Sequence, residues 1–255
     1  MIVRTDAVVL RALDYSETSR IVTLLTRKHG IVSALARGAR RPTSRFGSTL
    51  QPMACVEVVY YHKEGRSLQT LKEAAHLRRF DRLTGDLDRV TRGLRMVELT
   101  RALLSEGEAH PPVFLLLVQA LTALDAAEAR AENVLPWFQL RLAYLLGFAP
   151  DVRKEDVLDL GEDGGTLRLS TGVVGPPVDP GREGVRATRA ALRAFAVFAR
   201  ADLDTALRMR LSAPLRAETE ALADLWLRHH AETLPERVRR VAEQMSEGLR
   251  EPAAD

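Results

Sequence analysis

Arg20-Ile21-Val22-Thr23-Leu24-Leu25-Thr26-Arg27-Lys28-His29-Gly30-Ile31-Val32-Ser33-Ala34-Leu35-Ala36 reads as two β-rich runs joined by a short polar turn. β-branched and aliphatic residues crowd both runs, and Gly30 can supply positive φ at the turn, so the segment predicts a β-hairpin. The chain then breaks pattern in Arg37-Gly38-Ala39-Arg40-Arg41-Pro42-Thr43-Ser44-Arg45-Phe46-Gly47, where Gly, Pro and charge mark a loop. Upstream, Val8-Val9-Leu10 lies in a long first strand. Downstream, Cys55-Val56-Glu57-Val58-Val59-Tyr60-Tyr61 is a fourth run, and Lys63-Glu64-Gly65-Arg66 turns into a fifth, Ser67-Leu68-Gln69-Thr70-Leu71. Five short strands in about 75 residues, with one long connection between the third and fourth, predict a small closed barrel of the OB type.

From about Asp81 the apolar period changes from 2 to 3.6. Leu83, Leu87, Val90, Leu94 and Val97 trace one helical stripe, ending at Arg101. His110-Pro111-Pro112 signals the next helix, running through Phe114, Leu117, Val118 and Leu121. Pro136 sits in the first turn of another, with Trp137, Leu140, Tyr144 and Leu145, closed by Gly147 before Pro150. Residues 151–183 are rich in Gly, Pro and Asp, with one short strand expected at Thr166-Leu167-Arg168-Leu169-Ser170. Helices are then expected over Arg186–Leu207, Pro214–His230 and Pro235–Leu249, before a frayed tail. The fold class is therefore α+β: an N-terminal five-stranded OB barrel over residues 1–80, followed by a helical domain over 81–255 with an irregular insert at about 151–183.

Charge is distributed unevenly. Thr18 to Val56 contains no Asp or Glu, yet carries Arg20, Arg27, Lys28, Arg37, Arg40, Arg41 and Arg45. Net charge over the chain is only +3, so this is local clustering. Four guanidinium groups in one loop repel one another unless a polyanion lies against them, which points to nucleic acid. The only lysines are Lys28, Lys63, Lys72 and Lys154. Guanidinium suits phosphate forks and base stacking, although a genome rich in G+C would produce the same global bias.

Cys55 is the only cysteine, which removes intramolecular disulfides and multi-cysteine metal sites. It is expected as a buried strand residue. The longest apolar run, Val113–Val118, is too short for a bilayer, and no signal or transit pattern opens the chain. A cytoplasmic, nucleoid-associated protein without membrane contact is expected.

Ala7-Val8-Val9-Leu10, Tyr15-Ser16-Glu17, Arg20 to Thr26, and Ala36 to Gly47 followed by Leu50-Gln51-Pro52 resemble, in that order, the RecO family of bacterial recombination mediators. The likeness continues loosely through Phe138 to Pro150, similar to the family's central helix and its Gly-aromatic-Ala-Pro end. The resemblance implies an OB-fold, a helical C-terminal domain, and a mediator and annealing role on single- and double-stranded DNA. It also implies two protein partners: the acidic C-terminal tail of single-stranded DNA-binding protein, and RecR. Many family members carry a four-cysteine zinc module after the central helix. Here Asp151 to Pro180 contains neither Cys nor His, so tetrahedral zinc has no ligands, and no metal or other cofactor is expected.

Arg37, Arg40, Arg41 and Arg45 are the candidate phosphate contacts, with Arg20, Arg27 and Lys28 extending the patch along the barrel. Arg20 and Arg27 could equally protect a strand edge. Phe46, Tyr60 and Tyr61 are stacking candidates, but each is expected in the core, because small barrels need bulky filler. Enzyme chemistry is not expected. There is no phosphate-binding Gly-rich loop, His229-His230 face different sides of a helix and read as a solvated end, and Glu155, Asp156 and Asp159 read as solubilising charge. An RNA-binding OB protein of the translation apparatus is the alternative class. A DNA-independent adaptor using an apolar groove near Leu115, Leu116, Leu117 and Trp137 is the third.

Overall fold

The computed structural model describes residues 1–177 and 184–232, divided into two compact units, Met1–Ala126 and Ala127–Asp255. In the first, β1 (Ile2–Asp14), β2 (Arg20–Thr26), β3 (Gly30–Ala36), β4 (Cys55–Tyr61) and β5 (Leu68–Arg78) close into a barrel in the order β1-β2-β3-β5-β4. That is the expected OB topology. The first strand serves both walls: Ile2–Val8 pair with β4, while Ala7–Asp14 pair with β2 across an irregularity between Val9 and Arg11. A parallel pairing of β3 with β5, from Ser33 opposite Leu68 to Ala36 opposite Leu71, completes closure.

Gly30 begins β3 at φ 62, which fits its place at the hairpin turn. Val9, Val22, Leu24, Val58 and Tyr60 fill the barrel, each fully buried. Val8 and its partner Leu25 are equally buried, yet stand outside that cluster. Successive strand residues face opposite sides, so the unbroken apolar run Ala7–Leu10 reflects burial on both faces.

Helices supply the outer cover. After α1 (Asp81–Thr84) come α2 (Leu87–Leu103) and α3 (Pro111–Ala126), both packed on β1 within this unit. Asp86 caps α2 by accepting from Arg89 N at 3.1 Å. The expected apolar stripe is only half right. Leu83, Val97 and neighbouring Met96 are buried, but Leu87 is 82% exposed and Leu94 37%. Gly93, not Leu94, sits where the helix meets Met53, Leu121 and Leu124. Close approach there needs the absence of a side chain, which a hydrophobicity count does not register.

In the second unit, α4 (Val134–Leu145), α6 (Arg189–Arg200) and α8 (Ala213–Glu232) pack against one another around Phe138, Phe195, Phe198 and Trp226. Gly147 ends the α4 region at φ 85. Where one helix was expected over Arg186–Leu207, α6 stops and α7 (Leu203–Arg208) starts afresh. Ala201 is extended, and Asp202 caps the new helix by accepting from Thr205 N at 2.8 Å. The Gly/Pro-rich segment holds α5 (Lys154–Leu158) and a three-stranded sheet, β7 (Val174–Gly175), β6 (Gly165–Leu167) and β8 (Val185–Ala187), in that spatial order. Val152, Val157, Leu160, Leu167 and Val174 are buried there. The helix expected over Pro235–Leu249 and the expected tail lie outside the described residues.

Candidate nucleic-acid interface

The β3–β4 connection is basic, but it is not loose. Gly38 takes φ 74, and turns follow in which Arg41 N donates to Gly38 O (3.2 Å) and Ser44 N to Arg41 O (2.9 Å). A 3-10 turn over Gly47–Leu50 then packs Phe46 and Leu50, 2% and 1% exposed, into the barrel cluster. The Thr49 hydroxyl donates to Phe46 O at 2.5 Å. Buried hydrophobes at one end and hydrogen-bonded turns at the other hold the exposed arginines between them.

Arg40 ties this loop to the β1–β2 turn. Its backbone N–H donates to Thr18 O (3.0 Å), its Nη1 to Ser16 O (2.7 Å), and its Nε meets the Asp14 carboxylate at 3.2 Å. Arg20 Nε takes the other oxygen of Asp14 at 2.9 Å. The loop therefore does have a counter-charge, supplied by β1 from outside the acid-free stretch, which corrects the expectation that it had none. Arg37, Arg41 and Arg45 are exposed and form no ion pair among the described residues. The Arg45 guanidinium lies over the Phe46 ring, 5.3 Å from its centroid. Its charge also reaches Glu73 on β5, whose carboxyl is held below its ordinary range first by a hydrogen bond from Lys72, then by the Lys72 charge, with Arg4 and Arg45 contributing less.

The structure does not gather all seven candidates. Arg20 opens β2 opposite Asp14, whereas Thr26 ends it opposite Ala7. At the rise of a strand this separates Arg20 from Arg27 by roughly 20 Å. Arg27 and Lys28 line a different cleft, of about 670 Å³, with Arg4, Thr5, Asp6 and Glu57. Acids accompany the bases there: Arg27 lies 3.9 Å from Asp6 and Arg4 lies 3.6 Å from Glu57. Five candidates, Arg20, Arg37, Arg40, Arg41 and Arg45, belong to the loop and its neighbouring turn.

The flat side chains are also sorted. Phe46 and Tyr60 are core, Tyr60 with its phenol pushed up to about 12 by burial, while Tyr61 is 47% exposed. Tyr15, which belongs to the Tyr15-Ser16-Glu17 motif and is not among the stacking candidates, is 62% exposed in the β1–β2 turn. The signal that could have singled it out is an aromatic ring set in an otherwise polar turn.

Other candidates find structural roles. Cys55 is buried, and burial raises its thiol pKa. His230 is not a solvated end: its ring stacks on Phe148 (5.2 Å between centroids) and meets Trp226 at a tilt of 39° (4.1 Å), and its Nδ1 donates to the Trp226 carbonyl at 3.0 Å. Leu116, Leu117 and Trp137 are buried, leaving Leu115 exposed. Among the described residues no three His, Cys, Asp or Glu side chains are placed to hold a metal ion. The segment where the RecO resemblance places zinc does not fit that metal, because residues 151–180 offer neither thiolate nor imidazole and their described buried side chains are aliphatic apart from Thr166. No described helix is long and apolar enough to cross a membrane.

Comparison with known proteins agrees with this architecture. The family profile described as Recombination protein O N terminal matches residues 1–80, and Recombination protein O C terminal matches residues 84–240. A DNA repair protein RecO from Salinibacter ruber is 50% identical over 96% of this chain and 94% of its own. One from Anaeromyxobacter dehalogenans is 35% identical over 89% of this chain and 91% of its own.

Proposed function

Since the chain belongs to the recombination protein O family of DNA repair proteins, we propose that its barrel binds single- and double-stranded DNA and acts without enzymatic chemistry, by strand annealing and recombinase loading. The observation that carries this reading is the pinned loop, which presents Arg37, Arg41 and Arg45 without ion-pair partners among the described residues, beside the Asp14-linked pair Arg20 and Arg40. Exposed guanidinium groups held in place lose little freedom on meeting a phosphate, and each contact releases counterions. Annealing two strands is downhill once their repulsion is screened, so no nucleotide hydrolysis is required of the protein. The loop arginines are the proposed phosphate contacts, with Arg27 and Lys28 as a separate, acid-flanked extension.

In this reading the partners are DNA, the acidic tail of single-stranded DNA-binding protein, and RecR, with action in the cytoplasm at the nucleoid. Titration of labelled DNA and RNA oligonucleotides at several salt concentrations tests it first. Five single-strand phosphate contacts give a slope of log K against log salt of about −3.5. A slope near zero, or a preference for RNA, refutes it. An annealing assay on strands coated with single-stranded DNA-binding protein then tests DNA and partner roles together.

A further inference from the structure

We propose that Tyr15 is a base-stacking site: its ring takes one unpaired nucleobase of a single strand whose phosphates lie on the Arg37–Arg45 loop. This rests on the DNA-binding reading above and adds to it a site for the base. Tyr15 is 62% exposed and has no ring–ring contact among the described residues. The barrel core makes no use of it, whereas Phe46 and Tyr60 are buried and withdrawn from any ligand.

Its position is tied to the basic loop from both sides. Asp14 immediately before it and Ser16 immediately after it each bind the Arg40 guanidinium, at 3.2 Å and 2.7 Å. Thr18 in the same turn accepts the Arg40 backbone N–H. The turn itself is ordered: Tyr15 N donates to Ser19 O at 3.0 Å, and Ser19 N to the Ser16 hydroxyl at 3.2 Å. An aromatic ring on a hydrogen-bonded turn is largely preorganised, so little order remains to be imposed when a base stacks on it.

Phosphate-binding arginines beside an exposed aromatic are the two components of a single-strand groove. The division of labour follows from chemistry. A loop arginine cannot tell single strands from duplex, because both present phosphates. Tyr15 can, because duplex bases are already stacked on each other.

The test uses the full chain with a labelled oligothymidylate, the same strand carrying a single abasic position, and a duplex of equal length. Tyr15→Ala is expected to weaken single-strand binding about tenfold, with the salt slope and duplex affinity unchanged. Tyr15→Phe and Tyr15→Trp keep wild-type affinity. The wild type is also expected to bind the abasic strand more weakly when the gap falls at the stacked position, which checks the site without altering the protein. Two results overturn the inference. One is Tyr15→Ala binding the single strand as well as wild type does while the steep salt slope persists; the other is an equal loss of single strand and duplex, which makes Tyr15 merely a support for Arg40. Absence of salt-dependent binding by the wild type is a separate result and refutes the DNA-binding reading itself.

Discussion

Asp14 and Arg40 are paired at 3.2 Å, although one closes β1 and the other lies in the loop after β3. The same carboxylate meets Arg20 at 2.9 Å. One acid thus restrains two of the arginines nearest the proposed phosphate track. The pair is partly solvated, the two side chains being 36% and 51% exposed, and such pairs contribute at most about 1 kcal/mol to stability. Its larger effect is on charge: Asp14 occupies two guanidinium groups that the proposed function assigns to phosphate.

Asp14→Asn should therefore tighten DNA binding at low salt. Arg20 and Arg40 already count among the five contacts, so affinity rises while the salt slope on single strands stays near about −3.5, because a carboxylate no longer competes with phosphate for them. Anisotropy titrations between low and moderate salt measure it, and the thermal midpoint should shift little.

Replacing Arg37, Arg41 and Arg45 together with Ala should reduce the salt slope by about 2 on single strands. Replacing Arg27 and Lys28 should change it less, because Asp6 and Glu57 already neutralise part of that cleft. Equal effects from the two variants would show that both ends of β2 carry the strand.

Phe46→Ala removes a buried ring that anchors the basic loop in the barrel cluster. A loss of about 3–5 kcal/mol is expected in urea unfolding. Phe46→Leu should recover much of this, and DNA affinity should follow stability in the two variants.

Asn133 is 1% exposed and its amide donates to the carbonyls of Ala206 and Met209, each at 2.9 Å. Asn133→Ala takes a donor from both carbonyls, but Met209 N still donates to Ala206 O at 3.2 Å, so a loss of about 1–3 kcal/mol is expected, chiefly from the Met209 carbonyl. Denaturant unfolding should show the loss, with the DNA salt slope unchanged.

Stability should also depend on His230. Burial against Phe148 and Trp226 lowers its pKa from the ordinary 6.5, outweighing the opposing hydrogen bond to Trp226 O, and His229 lowers it further. The unfolded chain then binds the proton first as pH falls below about 6.5. Stability is full above that pH and declines through it on acidification. The thermal midpoint between pH 7 and pH 5 should fall more steeply for wild type than for His230→Phe. His29, also lowered first by burial, contributes in the same direction in both proteins.

Much of the barrel was legible because its signals are local. Gly30 marks the hairpin turn, alternation marks the strands, and the long connection after β3 marks the point where the chain crosses to β4. Helix starts at Pro111 and the stop at Gly147 were equally local. Harder to read were the boundary at Ala201–Asp202, where a short side chain diverts a backbone N–H, and the three-stranded sheet, whose strands are too short for a period to register. Leu87 and Leu94 show the limit of the apolar count, since the buried face of α2 was set by Gly93 against Met53.

For the candidate site, the acid-free stretch Thr18–Val56 identified the residue types by itself, and the residues of the barrel and loop determined family and topology. Only the tertiary structure decided which charges share a surface. Coulomb energy follows distance in space, so Asp14 enters the loop's field from outside the stretch, while Arg27 leaves it to join Asp6 at the other end of β2. The same folding that buried Phe46 and Tyr60 left Tyr15 exposed beside Arg40. Burial is a property of the closed barrel, and no ring carries it in its own sequence neighbourhood.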